Sequence, residues 1–233
     1  MLDWLFPPNC VGCGEPGHLI CDICLKSIEN LPKHTCQLCA NPLHAAGICA
    51  YCQNSPPDYD KIYCYAVYSG VVRKAIQRLK YSRDLEMGRL IAKMMAPKLQ
   101  ALFQNANLIV PMPLSLKRFR ERGYNQAEAI TKPLSELIGW AHSSKALEKI
   151  RDTETQVHLS VAERLANLDG AFKADSELVI GKSIVLLDDV MTTGATMRQA
   201  AKALREAGAK EIYAATFART ALRTEHTQNR TNL

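Results

Sequence analysis

Ile184 to Thr196 reads IVLLDDVMTTGAT. Four consecutive apolar residues, Ile184 to Leu187, have the character of a strand buried on both faces of a parallel sheet. Two carboxylates, Asp188 and Asp189, stand where that strand is expected to end. The small-residue turn Thr192-Thr193-Gly194-Ala195-Thr196 follows. An amphipathic run from Met197 to Ala207 comes next, closed by Gly208 in the position that ends a helix. In an open α/β sheet, ligands bind at the carboxyl ends of the strands. Free N–H groups at a helix start suit a phosphate, and the helix dipole favours its charge. The threonine hydroxyls add donors, and Gly194 lets the backbone come close. Two carboxylates would repel a phosphate, yet they accept hydrogen bonds from sugar hydroxyls. The ligand these residues imply is a ribose carrying a 5′-phosphate. The plain alternative is a buried strand, an acidic turn and a capped helix, but so long a run is far more specific than a lone glycine motif.

Nine cysteines are unevenly placed along the 233 residues. Eight of them form four C-x-x-C pairs, Cys10/Cys13, Cys21/Cys24, Cys36/Cys39 and Cys49/Cys52, all in the first quarter. Cys64 sits in the apolar run Ile62 to Tyr68 and reads as a small core residue. Disulfides would need export, yet Met1 to Asn9 has no basic start followed by a long apolar stretch. No apolar run approaches the ~18 residues of a membrane span. The chain is therefore expected in the cytoplasm, without membrane insertion, where thiols stay reduced and paired C-x-x-C motifs bind zinc. All-thiolate sites leave no open position, which points to structural zinc, two ions in all. The simplest grouping is two tandem ribbons, Cys10, Cys13, Cys21 and Cys24, then Cys36, Cys39, Cys49 and Cys52. Interleaved pairing is equally compatible with the spacing. His18, His34 and His44 are spare surface residues.

Residues 1–58 are too few to bury much core without such staples. They form the first expected domain, a double zinc ribbon, and Asn54-Ser55-Pro56-Pro57 is its linker to an α/β domain over 59–220. Residues 221–233 are polar and expected to fray. Up to Asp58, Lys26 and Lys33 face Asp3, Glu15, Asp22, Glu29 and Asp58, a net −3, so the remainder carries +9 of the total +6. A basic larger domain suits a pyrophosphate ester or nucleic acid. With its ribbon zinc removed, the segment before Asp58 is expected to unfold while the larger domain stays folded.

Within 59–220, Lys61 to Tyr68 reads as a strand. Gly70 to Leu79 reads as a helix burying Val71, Val72, Ala75, Ile76 and Leu79, and it ends in the polar junction Lys80 to Asp84. Leu85 to Phe103 is a second helix, broken or kinked at Pro97, since an interior proline costs about 3 kcal/mol. Leu108 to Val110 is a short buried strand leading through Pro111-Met112-Pro113 into a basic loop, Lys117 to Gln126. Lys117, Arg118, Arg120 and Arg122 there can neutralise a pyrophosphate. Tyr124 to Ile138 is a helix distorted by Pro133. Ala146 to Ile150 is a strand, and Arg151 to His158 is a polar loop suited to a water-excluding lid. Ser160 and Glu163 form a capping box. Glu211 to Arg219 is the last strand. Gly181-Lys182-Ser183 lacks the earlier glycine of a P-loop and precedes a strand.

IVLLDDVMTTGAT resembles the fingerprint of type I phosphoribosyltransferases, which bind 5-phosphoribosyl-1-pyrophosphate (PRPP). Further motifs keep a fixed order around it: Leu79-Lys80-Tyr81, Val110-Pro111-Met112-Pro113, Arg122-Gly123-Tyr124-Asn125-Gln126, Arg151-x-Thr153-x-x-Gln156-x-x-Leu159, Glu163-Arg164-x-x-Asn167 and Gly170-Ala171-Phe172. With the paired C-x-x-C ribbons, they resemble the ComF family of bacterial competence proteins, including its GntX-type members, nearly to Arg219. Met112 replaces a more usual valine. The resemblance implies a parallel-sheet, type I phosphoribosyltransferase-like domain after a double zinc ribbon. It implies that Asp188 and Asp189 hold the ribose hydroxyls and Thr192 to Thr196 the 5′-phosphate. Lys80, Arg118 and Arg122 would face the pyrophosphate, with Asn125 and Gln126 in the same loop. Arg151, Thr153 and Gln156 would lie in the mobile lid, and Mg²⁺ would accompany PRPP. The implied role is in DNA uptake and utilisation during natural transformation, with transfer of a phosphoribosyl group to a nitrogenous acceptor. The other reading is a non-catalytic module that senses PRPP or a nucleotide and binds single-stranded DNA or a competence protein. Only Phe119 and Tyr124 interleave with the basic residues as stacking platforms would.

Overall fold

The computed structural model describes residues 7–151 and 170–220. Expectations for Thr153, Gln156, His158, Ser160, Glu163, Arg164 and Asn167, and for the 221–233 tail, lie outside those residues. Among the described residues, no helix is long and apolar enough to cross a membrane.

Five strands make one parallel sheet: β1 (Lys61–Val67), β2 (Leu108–Pro111), β3 (Ala141–His142), β6 (Ser183–Met191) and β7 (Glu211–Arg219), in the order β1-β7-β6-β2-β3. β4 (Leu147–Lys149) and β5 (Phe172–Ala174) pair antiparallel beside it, and the short helix α7 (Ser176–Val179) follows β5. Helices cover both faces, so the central strand β6 is apolar along both. Val185 and Leu187 pack with α3 (Gly70–Tyr81), α4 (Leu85–Leu102) and α6 (Gln126–Ile138). Ile184 and Leu186 pack with α8 (Ala195–Glu206) on the other face. The alternation follows the two-residue period of a strand.

α3 buries Val71, Val72, Ala75, Ile76 and Leu79, the face expected of it. α4 and α6 run unbroken through Pro97 and Pro133. Each proline removes one backbone hydrogen bond, and tertiary packing outweighs that local cost. The two helices approach closely because residue 88 is glycine, where a Cβ would meet the Ala129 carbonyl. Strand β6 continues to Met191, so the acid pair lies within the paired strand rather than just after it. The stretch expected as a basic loop is largely a helix, α5 (Leu116–Arg122). Ser115 Oγ accepts the Arg118 amide at its start, and Gly123 at φ 75° ends it.

The cysteines group in sequence order. Within each tetrad, Cys10/Cys13/Cys21/Cys24 and Cys36/Cys39/Cys49/Cys52, the sulfurs all lie within 4.8 Å of one another. Cys13 and Cys21 sulfurs are 3.6 Å apart, Cys39 and Cys49 sulfurs 3.7 Å. A tetrahedron of sulfurs about 2.3 Å from zinc has edges of about 3.8 Å. The donor sets therefore fit two structural zinc ions. Equivalent amides point at equivalent sulfurs, Cys21 N–H to Cys10 Sγ and Cys49 N–H to Cys36 Sγ, so the ribbons repeat one construction. α1 (Asp22–Lys26) and α2 (Ala50–Asn54) close them, and His18, His34 and His44 belong to neither tetrad.

The ribbons do not stand apart. Cys10, Ile20, Cys21 and Cys24 share an apolar cluster with Val71, Val72 and Ala75 of α3. Cys36, Cys39 and Cys52 cluster with Met191 at the end of β6. Lys74 and Arg78 of α3 donate to the carbonyls of Gly12 and Asn9. Independent melting of the first 58 residues thus gives way to an expectation of shared stability. Cys64 is a buried core thiol pushed up to about 11 by burial.

Candidate functional site

From β6 the chain crosses through α8 to β7, on one side. From β2 it crosses through α5 and α6 to β3, on the other. β2 and β6 are neighbours, so their carboxyl ends flank the point where the strand order reverses, the position that binds ligands in open parallel sheets.

Asp188 and Asp189 sit on that end of β6. Asp189 is buried, and its Oδ2 lies 2.6 Å from the Lys80 ammonium. The contact is an ion pair off hydrogen-bond alignment, since that oxygen has no aligned donor. Lys80 comes from the last turn of α3. Asp188 accepts the Asp189 amide through Oδ1 at 2.8 Å. Burial and the adjacent charge of Asp189 hold the Asp188 carboxyl well above the usual carboxylate range, with Lys80 opposing. Asp188 keeps some surface open to solvent, so the neighbouring charge is the firmer of the two causes. Replacing Lys80 by methionine would leave the Asp189 carboxylate buried without a counter-charge. Urea unfolding at pH 7 should then show a loss of about 2–3 kcal/mol, and an unchanged midpoint would show that the pair contributes nothing.

Beyond the acids, the chain turns through Thr192 and Thr193 into α8. Gly194 caps the helix at φ 82° and brings no side chain of its own to accept an amide there. A Cβ on residue 194 would strike Met191 Cε, and the left-handed backbone excludes most other residues. The Thr193 hydroxyl already accepts the Ala195 amide at 3.4 Å.

Lys80, which meets Asp189, also lines a cleft of about 560 Å³ with Tyr81, Arg83, Arg118, Glu121 and Arg122. The α5 face that carries Arg118 and Arg122 meets it. Lys117 and Arg120 are exposed on the same helix but do not line that cleft. Arg122 donates to Gln126 Oε1 at 2.7 Å and lies 5.7 Å from the Tyr81 ring centre. Asn125 caps α6 by accepting the Ala127 amide and donates to the Met112 carbonyl, which fixes the α5–α6 turn to the end of β2. Arg151 is exposed just beyond β4.

Arg83 lies in none of the quoted motifs, and Tyr124 takes a place beyond the stacking expected of it. Arg83 holds a positive φ of 50° and donates to the Arg122 carbonyl, drawing the α3–α4 junction onto the basic helix. The Tyr124 hydroxyl is buried without a partner, among the charges of Arg122, Arg83, Asp84 and Asp189. An orphaned hydroxyl at a site mouth is a position for a ligand oxygen.

Residues 88–231 match the phosphoribosyl transferase domain family, and residues 1–53 match the double zinc ribbon domain. The chain is a ComF-family protein with a phosphoribosyl transferase domain. It is 31% identical over 216 residues to the DNA utilization protein YhgH of Escherichia coli (strain K12), spanning 88% of this chain and 94% of that one. This ComF-family chain is 29% identical to competence protein F of Haemophilus influenzae over 220 residues, 88% of this chain and 93% of that one. With competence protein ComFC of Bacillus subtilis the identity is 26% over 202 residues, 83% and 81% of the two chains.

Proposed function

We propose that this ComF-family chain binds PRPP with Mg²⁺ across the carboxyl ends of β6 and β2 and transfers the phosphoribosyl group to a nitrogenous acceptor. The reading places that activity in natural competence or DNA utilisation, the roles its relatives are named for, in the cytoplasm where thiolate tetrads stay reduced. The observation that carries it is the acid pair set between an open helix start on one side and a basic cleft on the other.

In this reading the 5′-phosphate lies against Thr192 to Thr196, and Asp188 and Asp189 accept the ribose hydroxyls. Lys80 is held by Asp189 in the absence of ligand. An arriving pyrophosphate competes for that ammonium, freeing Asp189 oxygens for the sugar while Arg118 and Arg122 neutralise the far phosphates. As the C1–O bond breaks and positive charge grows on the ring, the two carboxylates lie where they stabilise it. Two hard oxygen donors, one of them without an aligned hydrogen bond, suit Mg²⁺. When bound, the ion would neutralise pyrophosphate oxygens. Arg151, Thr153 and Gln156 are proposed as part of the lid, supported by their polar run after β4. The reading also keeps residues 1–58 as the ribbon unit and 59–220 as the transferase unit.

One observation favours the second reading, a surface for single-stranded DNA. Tyr81, which lines the basic cleft, is 75% exposed, and Phe119, on the helix that carries Arg118 and Arg122, is 47% exposed. Bases stack on such rings. A nucleobase screen with PRPP and Mg²⁺, read by pyrophosphate release, separates the two. Release with at least one base supports transfer. No release, together with DNA binding that Tyr81→Ala weakens, supports the binding module and removes the transferase.

A further inference from the structure

Two deeply buried arginines link the second cysteine tetrad to the phosphate loop. Arg198, on the second turn of α8, is 5% exposed, and Arg219, at the end of β7, is 1% exposed. The Arg198 guanidinium donates to Cys52 Sγ at 3.0 Å and to the Ser55 carbonyl at 2.6 Å, and it stacks 4.7 Å from the Tyr51 ring centre. Its own backbone amide bonds the Gly194 carbonyl, so the same residue anchors the first turn of α8. Arg219 donates through Nε to the Cys39 carbonyl at 2.9 Å and through Nη1 to the carbonyls of Met191 and Thr192. Met191 is packed with Cys36, Cys39 and Cys52 and touches the space beside Gly194. Met191, Arg198 and Arg219, which hold the start of the loop, therefore lean on the second ribbon. The first ribbon meets α3 instead, through Lys74 and Arg78.

The chemistry makes this more than packing. Four thiolates around one Zn²⁺ leave a net charge of about −2, and a buried guanidinium beside Cys52 offsets part of it. Second-shell donors of this kind orient their ligands and are oriented by them. Without the metal nothing holds the four sulfurs together, and Arg198 loses the fixed acceptor at Cys52 Sγ that its burial depends on.

We propose that Arg198 and Arg219 are positioning residues through which zinc at Cys36, Cys39, Cys49 and Cys52 sets the conformation of loop 192–196, and with it the affinity for a 5′-phosphorylated ribose. The affinity half rests on the PRPP reading above; the loop half does not. Zinc occupancy of the second ribbon thus acts on the transferase site, whereas the first ribbon supports α3.

The test compares the full zinc-loaded chain with Arg198→Met, Arg198→Lys and, as a control on the first ribbon, Lys74→Met. Amide hydrogen exchange across 191–198 is read without ligand, zinc content by metal analysis, and PRPP binding by calorimetry. With two zinc ions still bound, Arg198→Met should exchange at least about tenfold faster across the loop and bind PRPP about tenfold more weakly. Arg198→Lys should recover part of both, and Lys74→Met should change neither. Unchanged loop exchange in Arg198→Met overturns the proposal, as does an equal effect from Lys74→Met. Should Arg198→Met fail to fold, Cys49→Ser decides: faster exchange confined to the loop supports the link, and a loop at wild-type rates removes it. A wild-type chain that ignores PRPP would sink the substrate reading alone, since exchange reports the link without any ligand.

Discussion

Asp188→Asn combined with Asp189→Asn is expected to weaken PRPP binding by at least about 100-fold while leaving the chain folded. Hydrogen bonds to charged groups contribute about 1.5–3 kcal/mol each, and two ribose hydroxyls would lose theirs together, which converts to two or more factors of ten. Calorimetry in magnesium measures it, and an unchanged affinity would refute the site. The same acids make a second, opposite effect on stability. Burial and the charge of Asp189 hold the Asp188 carboxyl well above its usual range. The unfolded chain therefore gives up its proton first as pH rises past about 4, and folding becomes less favourable until the folded group ionises too. Asp188→Asn alone should raise the thermal midpoint at pH 7, and the gain should close as pH falls below about 4, where both states become protonated. A substitution that costs function and adds stability marks a charge kept for its ligand.

Removal of both zinc ions should lower the melting of the whole chain, not only of its first quarter. A structural zinc site carries folding energy of its own. Here the first tetrad also closes the apolar cluster over α3, and the second closes the cluster at the end of β6. Uncovering Val71, Val72 and Met191 and stranding Arg198 and Arg219 should cost the sheet domain about 3–5 kcal/mol. For a chain of this size that is on the order of 10 °C in midpoint. Calorimetric scans with and without a strong chelator read it directly. A sheet transition unmoved by chelation would mean that the ribbons are appended units after all.

The parts of the fold that could be read from residues alone are those where burial writes a period. β6 and β7 are apolar runs long enough to be unambiguous, and α3 shows one buried face. The two zinc tetrads follow from cysteine spacing, and tandem grouping is the one the structure adopts. α5 was not legible as a helix because it buries no residue, so its charged sequence has no face. Only a cap serine and a terminal glycine mark it. β3 has two residues and β5 three, too short for any pattern. Pro97 and Pro133 argue locally for breaks that packing overrides.

Within the site, residue types were legible and partners were not. Asp188, Asp189, Lys80, Arg118 and Arg122 come to one place, but nothing in the order of residues says that Lys80 rests on Asp189. Lys117 and Arg120 look equivalent to Arg118 and Arg122 until the helix turns them off the cleft. Arg198 and Arg219 carry no signal at all, because each lies in an otherwise apolar face and its acceptors on the second ribbon are some 140 to 180 residues away.

The most direct test of the central claim is a crystal structure of the zinc-loaded chain soaked with PRPP and Mg²⁺. The 5′-phosphate should appear against the amides that follow Thr192, with both ribose hydroxyls on Asp188 and Asp189 and Lys80 drawn toward the pyrophosphate. Density for the ester elsewhere on the molecule, with the Lys80–Asp189 pair intact, would contradict it.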